Sequence, residues 1–290
     1  KREVVRVVSP GTLTDAGYLD AREPAFIAAI APSVSGGKTE KLGVALLDLS
    51  TGEFAAAEYE GAGCFEAAGR ELALLRPREI VAADGVDLGP ITPNGNGPRL
   101  TRIEGWSFEA AGARKVLLEQ FRTHSLTAFG LEDKPAAISA AGALVQHLRD
   151  TQKADLAHVR AISLRGASDC MVLDPSTLKH MEIAEGAEGG RAGSLIGEID
   201  RTVTPMGSRM LRGWLLRPLI ALPRIQDRLD AVEDFAFRAS ERARLRDALK
   251  SIHDLERLTA RAALGTAGPR DLVALQQSLA ANPRVKAVVA

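Results

Sequence analysis

Residues 200–219 read DRTVTPMGSRMLRGWLLRPL. Thr204 followed by Pro205 marks a helix start: the threonine hydroxyl can accept from a first-turn amide, and proline at the first helical position gives up an N–H that would have no partner there. Pro218 marks the stop. Between them Met206, Met210 and Trp214 recur at i, i+4 and i+8 with Leu211 and Leu215 beside them, while Arg209, Arg212 and Arg217 lie off that stripe. The pattern predicts a helix over 204–216 with Met206, Met210 and Trp214 in the core. The segment holds no nucleophile, metal-ligand set or phosphate loop, so its specification serves packing.

The residues around it continue the helical reading. Asp174-Pro175 repeats the capped start and Gly268-Pro269 resembles it. Ile225, Leu229, Val232 and Phe235 form a second stripe, and Leu245, Leu249, Ile252, Leu255 and Leu258 a third. Helices with one apolar face each must pack on one another, which predicts a helical bundle over 153–290.

Residues 1–152 have a different period. EVVRVV (3–8), FIAAIA (26–31) and EIVAA (79–83) read as strands, and LGVALLDLSTGEFAAAEY (42–59) as a hairpin turned by Ser50-Thr51-Gly52. CFEAAGRELALLRP (64–77) has helical spacing ended by Pro77, and 108–122 and 135–150 are also helical. Residues 84–100 are a Gly-, Pro- and Asn-rich loop, and the polar run at 150–158 is the expected boundary. The chain thus reads as multi-domain: an α/β domain (1–152) with a mixed sheet, then an all-α domain (153–290).

Composition narrows the functional classes. The 290 residues carry zero formal net charge, spread as −4 over 1–157 and +4 over 158–290. That asymmetry is too small for a phosphate-tracking surface, and the few aromatics (8 Phe, 2 Tyr, 2 Trp) argue against base stacking. No apolar run is long enough to span a membrane. The two cysteines, Cys64 and Cys170, lie far apart with no metal spacing, which fits a cytoplasmic location. The opening KREVVRVV reads as the interior of a longer polypeptide.

Candidate chemistry is sparse. Gly37-Lys38-Thr39 ends like a phosphate-binding loop, but the glycine required five residues earlier is Pro32 and a strand follows, so it is a decoy. The five histidines lack metal spacing and are expected at the surface or at helix ends. Asp48, Glu53 and Asp84 would have to converge to hold metal ions for phosphodiester cleavage, and Asp48 is more simply a turn residue. No catalytic, cofactor or metal residue is assigned.

Taken together, LDPSTLKHMEI (173–183), SLIGEIDRTVTPMGSRMLRGWLLRPL (194–219), RLDAVEDF and IHDLERLTARAALGTAGPRDLVAL (252–275) resemble the core domain of the bacterial MutS mismatch-recognition family. VVRVVSPGTLTD (4–15), GVALLDLSTGEF (43–54) and AAGALVQHLRDTQ (140–152) resemble that family's connector domain. The resemblance implies a ribonuclease H-like connector without nuclease activity, then the first part of the helical core and lever. Thr204, Pro205, Met206, Gly207, Ser208, Arg209 and Trp214 form the structural family motif. The resemblance also implies a non-catalytic piece of a DNA-dependent ATPase: ATP, Mg2+ and mismatched duplex would be bound by domains outside this chain, and the parent would be a homodimer while the piece alone is monomeric or weakly associating. The connector would dock the repair protein MutL through the helix near 108–122, with Arg114, Lys115 and Glu119 exposed. Two alternatives stay open: a ribonuclease H-like nuclease with a helical appendage, and a family paralogue acting in recombination.

Overall fold

A computed structural model describes residues 4–35, 38–91, 97–166 and 170–289. It divides into two compact units. The first comprises residues 1–19, Pro24–Arg165 and Ala263–Gly265; the second comprises Asp20–Glu23, Gly166–Ala262 and Thr266–Ala290.

The first unit is built on one mixed sheet. β1 (Phe26–Ser35), β2 (Lys38–Asp48) and β3 (Glu53–Glu60) form an antiparallel meander. β4 (Glu79–Ala83) returns parallel to β1, β5 (Arg99–Ile103) lies parallel to β4, and the short β6 (Ser163–Leu164) lies parallel to β3. The order is β5-β4-β1-β2-β3-β6. The apolar runs FIAAIA and VALL are continuous because both sheet faces are covered. Ile27, Ala29, Ala45, Leu47 and Val81 face a core completed by α2 (Ala110–Phe121) and α3 (Pro135–Gln152). Phe26, Ala28, Ile30, Val44, Leu46 and Ile80 point the other way, onto α1 (Cys64–Leu75).

Small residues set the spacing on the α3 side. A Cβ on Gly142 would lie 2.5 Å from the Ala113 backbone on α2, and one on Gly43 would lie 1.9 Å from the Ala136 carbonyl oxygen. The alanine-rich run 136–145 is buried throughout for the same reason. It sits where neighbouring backbones leave no space for larger side chains.

Two strand expectations need correction. Residues 4–8 are not a strand: Val7 donates its N–H to the Thr151 carbonyl (2.7 Å), beside the end of α3 where there is no ladder to join, and Val4, Val5, Val7 and Val8 are exposed. Conversely, β5 lies inside the expected loop 84–100 and just beyond it. As an edge strand with two arginines it lacks the apolar density that marks buried strands. Residues 92–96 of that loop lie outside the described residues.

The second unit is helical: α4 (Pro175–His180), α5 (Leu195–Ile199), α6 (Pro205–Leu216), α7 (Leu222–Phe237), α8 (Ala239–Leu249), α9 (Leu255–Ala263) and α10 (Pro269–Val289). The starts are capped as their sequences dictate. Asp174 accepts from the Ser176 and Thr177 amides, Ser194 from Gly197 and Thr204 from Gly207.

The predicted core stripe of α6 is overturned. Met210 is 55% exposed and Trp214 40%, and Met206 is only half-buried. The buried face is Ser208, Arg212 and Leu216, two positions along and so on the opposite side of the helix. Arg209 and Arg212, which fall off the apolar stripe, are nearly buried. Apolar periodicity misleads here because the polar side chains find partners that cancel the cost of burying them. α7 contains no buried residue, so its stripe is not a packed face either.

Candidate functional site

The polar face of α6 is the organising feature of the second unit. Asp200 follows α5, and its side chain is 1% exposed. One carboxylate oxygen accepts from the Thr202 amide (2.8 Å) and hydroxyl (2.6 Å). The other accepts from the Ser208 hydroxyl (2.6 Å) and the Arg191 guanidinium, and Arg22 lies 3.8 Å away. Burial on its own would raise the Asp200 pKa, but the Ser208 and Thr202 hydrogen bonds and Arg191 together pull it to about 2.

Arg209 continues this network on the same helix. Its guanidinium meets Asp254 through two parallel bonds (2.7 and 2.8 Å), reaches Glu256 at 2.6 Å and donates to the Ala21 carbonyl at 2.7 Å. Burial disfavours that charge, yet the two carboxylates hold the proton more tightly than in free arginine. Arg212 pairs with Glu23 at 2.9 Å. Burial pushes the Glu23 carboxyl up, partly offset by Arg212. Arg257, from the DLERL segment, donates to the Asp20 and Glu23 carbonyls at 2.8 and 2.7 Å.

The motif Asp-x-Thr-x-Thr-Pro-Met-Gly-Ser-Arg can therefore be read residue by residue. Asp200 is the acceptor hub, Thr202 closes its turn and Thr204 caps α6. Pro205 starts the helix and Gly207 donates to the cap, at a point where a Cβ would crowd Thr202 at 3.3 Å. Ser208 reaches back to Asp200, and Arg209 gathers Asp254 and Glu256. Met206 and Trp214 stay outside this network; the Arg228 guanidinium stacks 3.7 Å over the Trp214 ring. Each Asp200 oxygen already accepts two hydrogen bonds, so the hub offers no free acid or base.

Other candidates are placed apart. Asp48 is buried in the first unit, with its oxygens taken by the Ser50 amide (2.8 Å) and hydroxyl (2.6 Å) and by the Ala25 amide (2.9 Å). Glu53 faces it across the hairpin, but Asp84 is exposed beyond the far end of β4, about 20 Å away along the strand direction. The three do not converge, and no His/Cys/Asp/Glu group able to hold a metal occurs among the described residues. Lys38 and Thr39 begin β2 instead of opening a helix, and Gly37 lies outside the described residues. His158 is not a surface residue. It is half-buried with its Nε2 at 2.9 Å from the Leu49 carbonyl, and burial lowers its pKa against the pull of that carbonyl and Asp48.

On α2, Lys115 and Glu119 are 80% and 54% exposed and lie 4.0 Å apart as an i, i+4 pair. Arg114 is only half-exposed, locked at 2.6 Å to Glu132. Two buried carboxylates escaped the sequence reading. Glu58 accepts from the Ala136 and Ala137 amides and so caps α3, and Glu79 accepts from Ser9, Gly11 and Thr101. Their partners are mostly dozens of residues away, so no local pattern announces them.

The fold and this network define a class: a sheet-based module followed by a helical module whose ordered polar cluster holds helices together. Residues 25–160 match the family model for MutS domain II, and residues 176–290 match that for MutS domain III. Similar proteins include the DNA mismatch repair protein MutS of Symbiobacterium thermophilum, 43% identical over 99% of this chain and 33% of the relative. Those of Myxococcus xanthus (41%, 100% and 32%) and Roseiflexus castenholzii (38%, 100% and 30%) are comparable. The chain belongs to the MutS family, and it spans about a third of the length of the curated relatives it matches. No helix among the described residues is long and apolar enough to cross a membrane.

Proposed function

We propose that this chain is the connector and first core segment of a cytoplasmic DNA mismatch-repair protein, non-catalytic in itself, and that it links mismatch binding to an ATPase elsewhere in the polypeptide. The order of MutS domain II before domain III carries this reading. The hub around Asp200 supports it physically: a helical unit tied by multivalent buried ion pairs moves as a body, which is what transmission between distant sites demands. ATP, Mg2+ and mismatched duplex belong to the whole homodimeric protein. The strand order β5-β4-β1-β2-β3, with an antiparallel meander and parallel β1, β4 and β5, supports a ribonuclease H-like connector. The dispersal of Asp48, Glu53 and Asp84 speaks against a nuclease.

MutL docks on the connector through α2, where Lys115 and Glu119 offer exposed charge. Titration calorimetry of the chain against purified MutL tests this, with ATP and mismatched duplex as parallel titrants. Saturable MutL binding weakened by Lys115→Glu is the expected result. Binding indifferent to Lys115→Glu and to Glu119→Lys sinks the assignment of α2.

A further inference from the structure

The two sides of the sheet end differently. β6 lies on the outer edge of β3, whereas β5 is the last strand on its own side. At the start of β5 the Arg99 amide donates to the Arg78 carbonyl (3.2 Å), and at its end the Ile103 carbonyl accepts from the Asp84 amide (2.9 Å). Backbone direction alternates along a strand, so Arg99, Thr101 and Ile103 turn their amides and carbonyls to β4. Leu100 and Arg102 turn theirs outward, where no described residue bonds them. Pro98 before them has no N–H to offer, and the Glu104 carbonyl after them already accepts from the Ser107 amide (3.1 Å). The open edge is therefore two donors and two acceptors long, which suits a short added strand.

Charge along this edge is polarised. At the amino end stand the exposed Arg99 and the half-buried Arg78, and neither forms an ion pair with a described residue. Glu79, the register neighbour of Arg99, is buried and spends its oxygens on Ser9, Gly11 and Thr101. At the carboxyl end the Arg102 guanidinium is folded onto the Ala83 and Val86 carbonyls (2.8 and 2.7 Å), near the exposed carboxylates of Asp84, Asp87 and Glu104. Between the two ends Leu100 is 38% exposed. An occupant that matches this order brings negative charge to the amino end of β5 and an apolar side chain to Leu100.

We propose that the outer edge of β5 accepts a short extended segment of a partner protein as an added strand, with acidic side chains at Arg78 and Arg99 and an apolar one against Leu100. The Leu100 and Arg102 backbones supply the ladder, and the arginines supply the selectivity. The site is independent of α2 docking, since Lys115 and Glu119 take no part in it.

The test is amide hydrogen exchange followed by NMR on the full chain, with the peptide acetyl-Glu-Asp-Val-Thr-Val-amide, its reverse sequence, and analogues carrying lysine for both acids. Without peptide the Leu100 and Arg102 amides should exchange faster than those of Thr101 and Ile103, which bond to β4. The tighter acidic peptide gives the strand direction, and it should slow Leu100 and Arg102 saturably, in the millimolar range expected for so short a ligand. The lysine analogues should bind about threefold more weakly or worse, and Arg99→Glu should reverse that preference. N-methylation of one alternate set of peptide amides should abolish binding, while methylation of the other set leaves it intact. Leu100→Pro removes an outward donor that β4 does not use, so it should abolish binding with the Thr101 and Ile103 amides still protected. Leu100→Ala, which keeps the N–H, should weaken binding less. Unchanged exchange at Leu100 and Arg102 with either acidic peptide, equal binding of acidic and lysine peptides, or indifference to both methylations would overturn the proposal. Protection of these amides that rises with protein concentration alone would overturn it too, by giving the edge to a second copy of this chain.

Discussion

Replacing Asp200 with asparagine probes the hub most directly. Between the ordinary value of 3.8 and a folded value of about 2, the folded state favours the carboxylate over its neutral form by about 2.5 kcal/mol. Asparagine is a neutral near-isostere that also turns one acceptor into a donor facing the Arg191 guanidinium. Asp200→Asn should therefore destabilise the second unit by about 2–4 kcal/mol. At roughly 3–5 °C per kcal/mol that lowers its melting temperature by about 10 °C. The chain has two tryptophans, Trp106 in the first unit and Trp214 in the second, so a Trp106→Phe background makes urea unfolding by fluorescence a report on the second unit alone. The sign with pH is fixed. A depressed carboxylate contributes stability above about pH 4 and loses it as pH falls toward 2. The gap between parent and variant should be full at pH 7 and shrink across that window. A variant within about 0.5 kcal/mol of the parent at pH 7, or a gap that persists unchanged to pH 2, would show that the Asp200 contacts do not hold this unit together.

Three other substitutions have definite outcomes. Arg209→Lys keeps the charge but loses the two-pronged contact with Asp254, and should lower stability of the second unit by about 1.5–3 kcal/mol in the same unfolding assay. Trp214→Ala should cost about 1 kcal/mol or less by calorimetric melting, far below the 3–5 kcal/mol of a core tryptophan, because the ring is substantially exposed and the Arg228 guanidinium stacks on it. Gly142→Ala gains helix propensity of about 1 kcal/mol yet drives a methyl against Ala113, so melting of the first unit, followed by Trp106 fluorescence, should show a net loss of about 1–2 kcal/mol.

Most elements were legible because their causes are local. The Pro-initiated caps at 174 and 204, the β2–β3 turn and the alternation-free strands of a doubly covered sheet depend on neighbours a few residues away. The inversion of α6 was not legible. Met206, Met210 and Trp214 look like a core stripe, and only the positions of Asp200, Glu23 and Asp254 make Ser208, Arg212 and Arg209 the inward residues. Glu58 and Glu79 were hidden for the same reason.

The pairing of β6 with β3 carries a consequence for how the chain is made. Ala55 and Ser163 are partners more than a hundred residues apart, whereas the β1–β3 meander pairs strands that are adjacent in sequence. During synthesis the meander and α1 can assemble as soon as they emerge, but the outer rim of β3 stays open until α3 and the segment after it have been added. For that interval the nascent protein displays an unpaired strand edge, so slow translation between residues 60 and 163 lengthens its exposure to chaperones and to wrong partners.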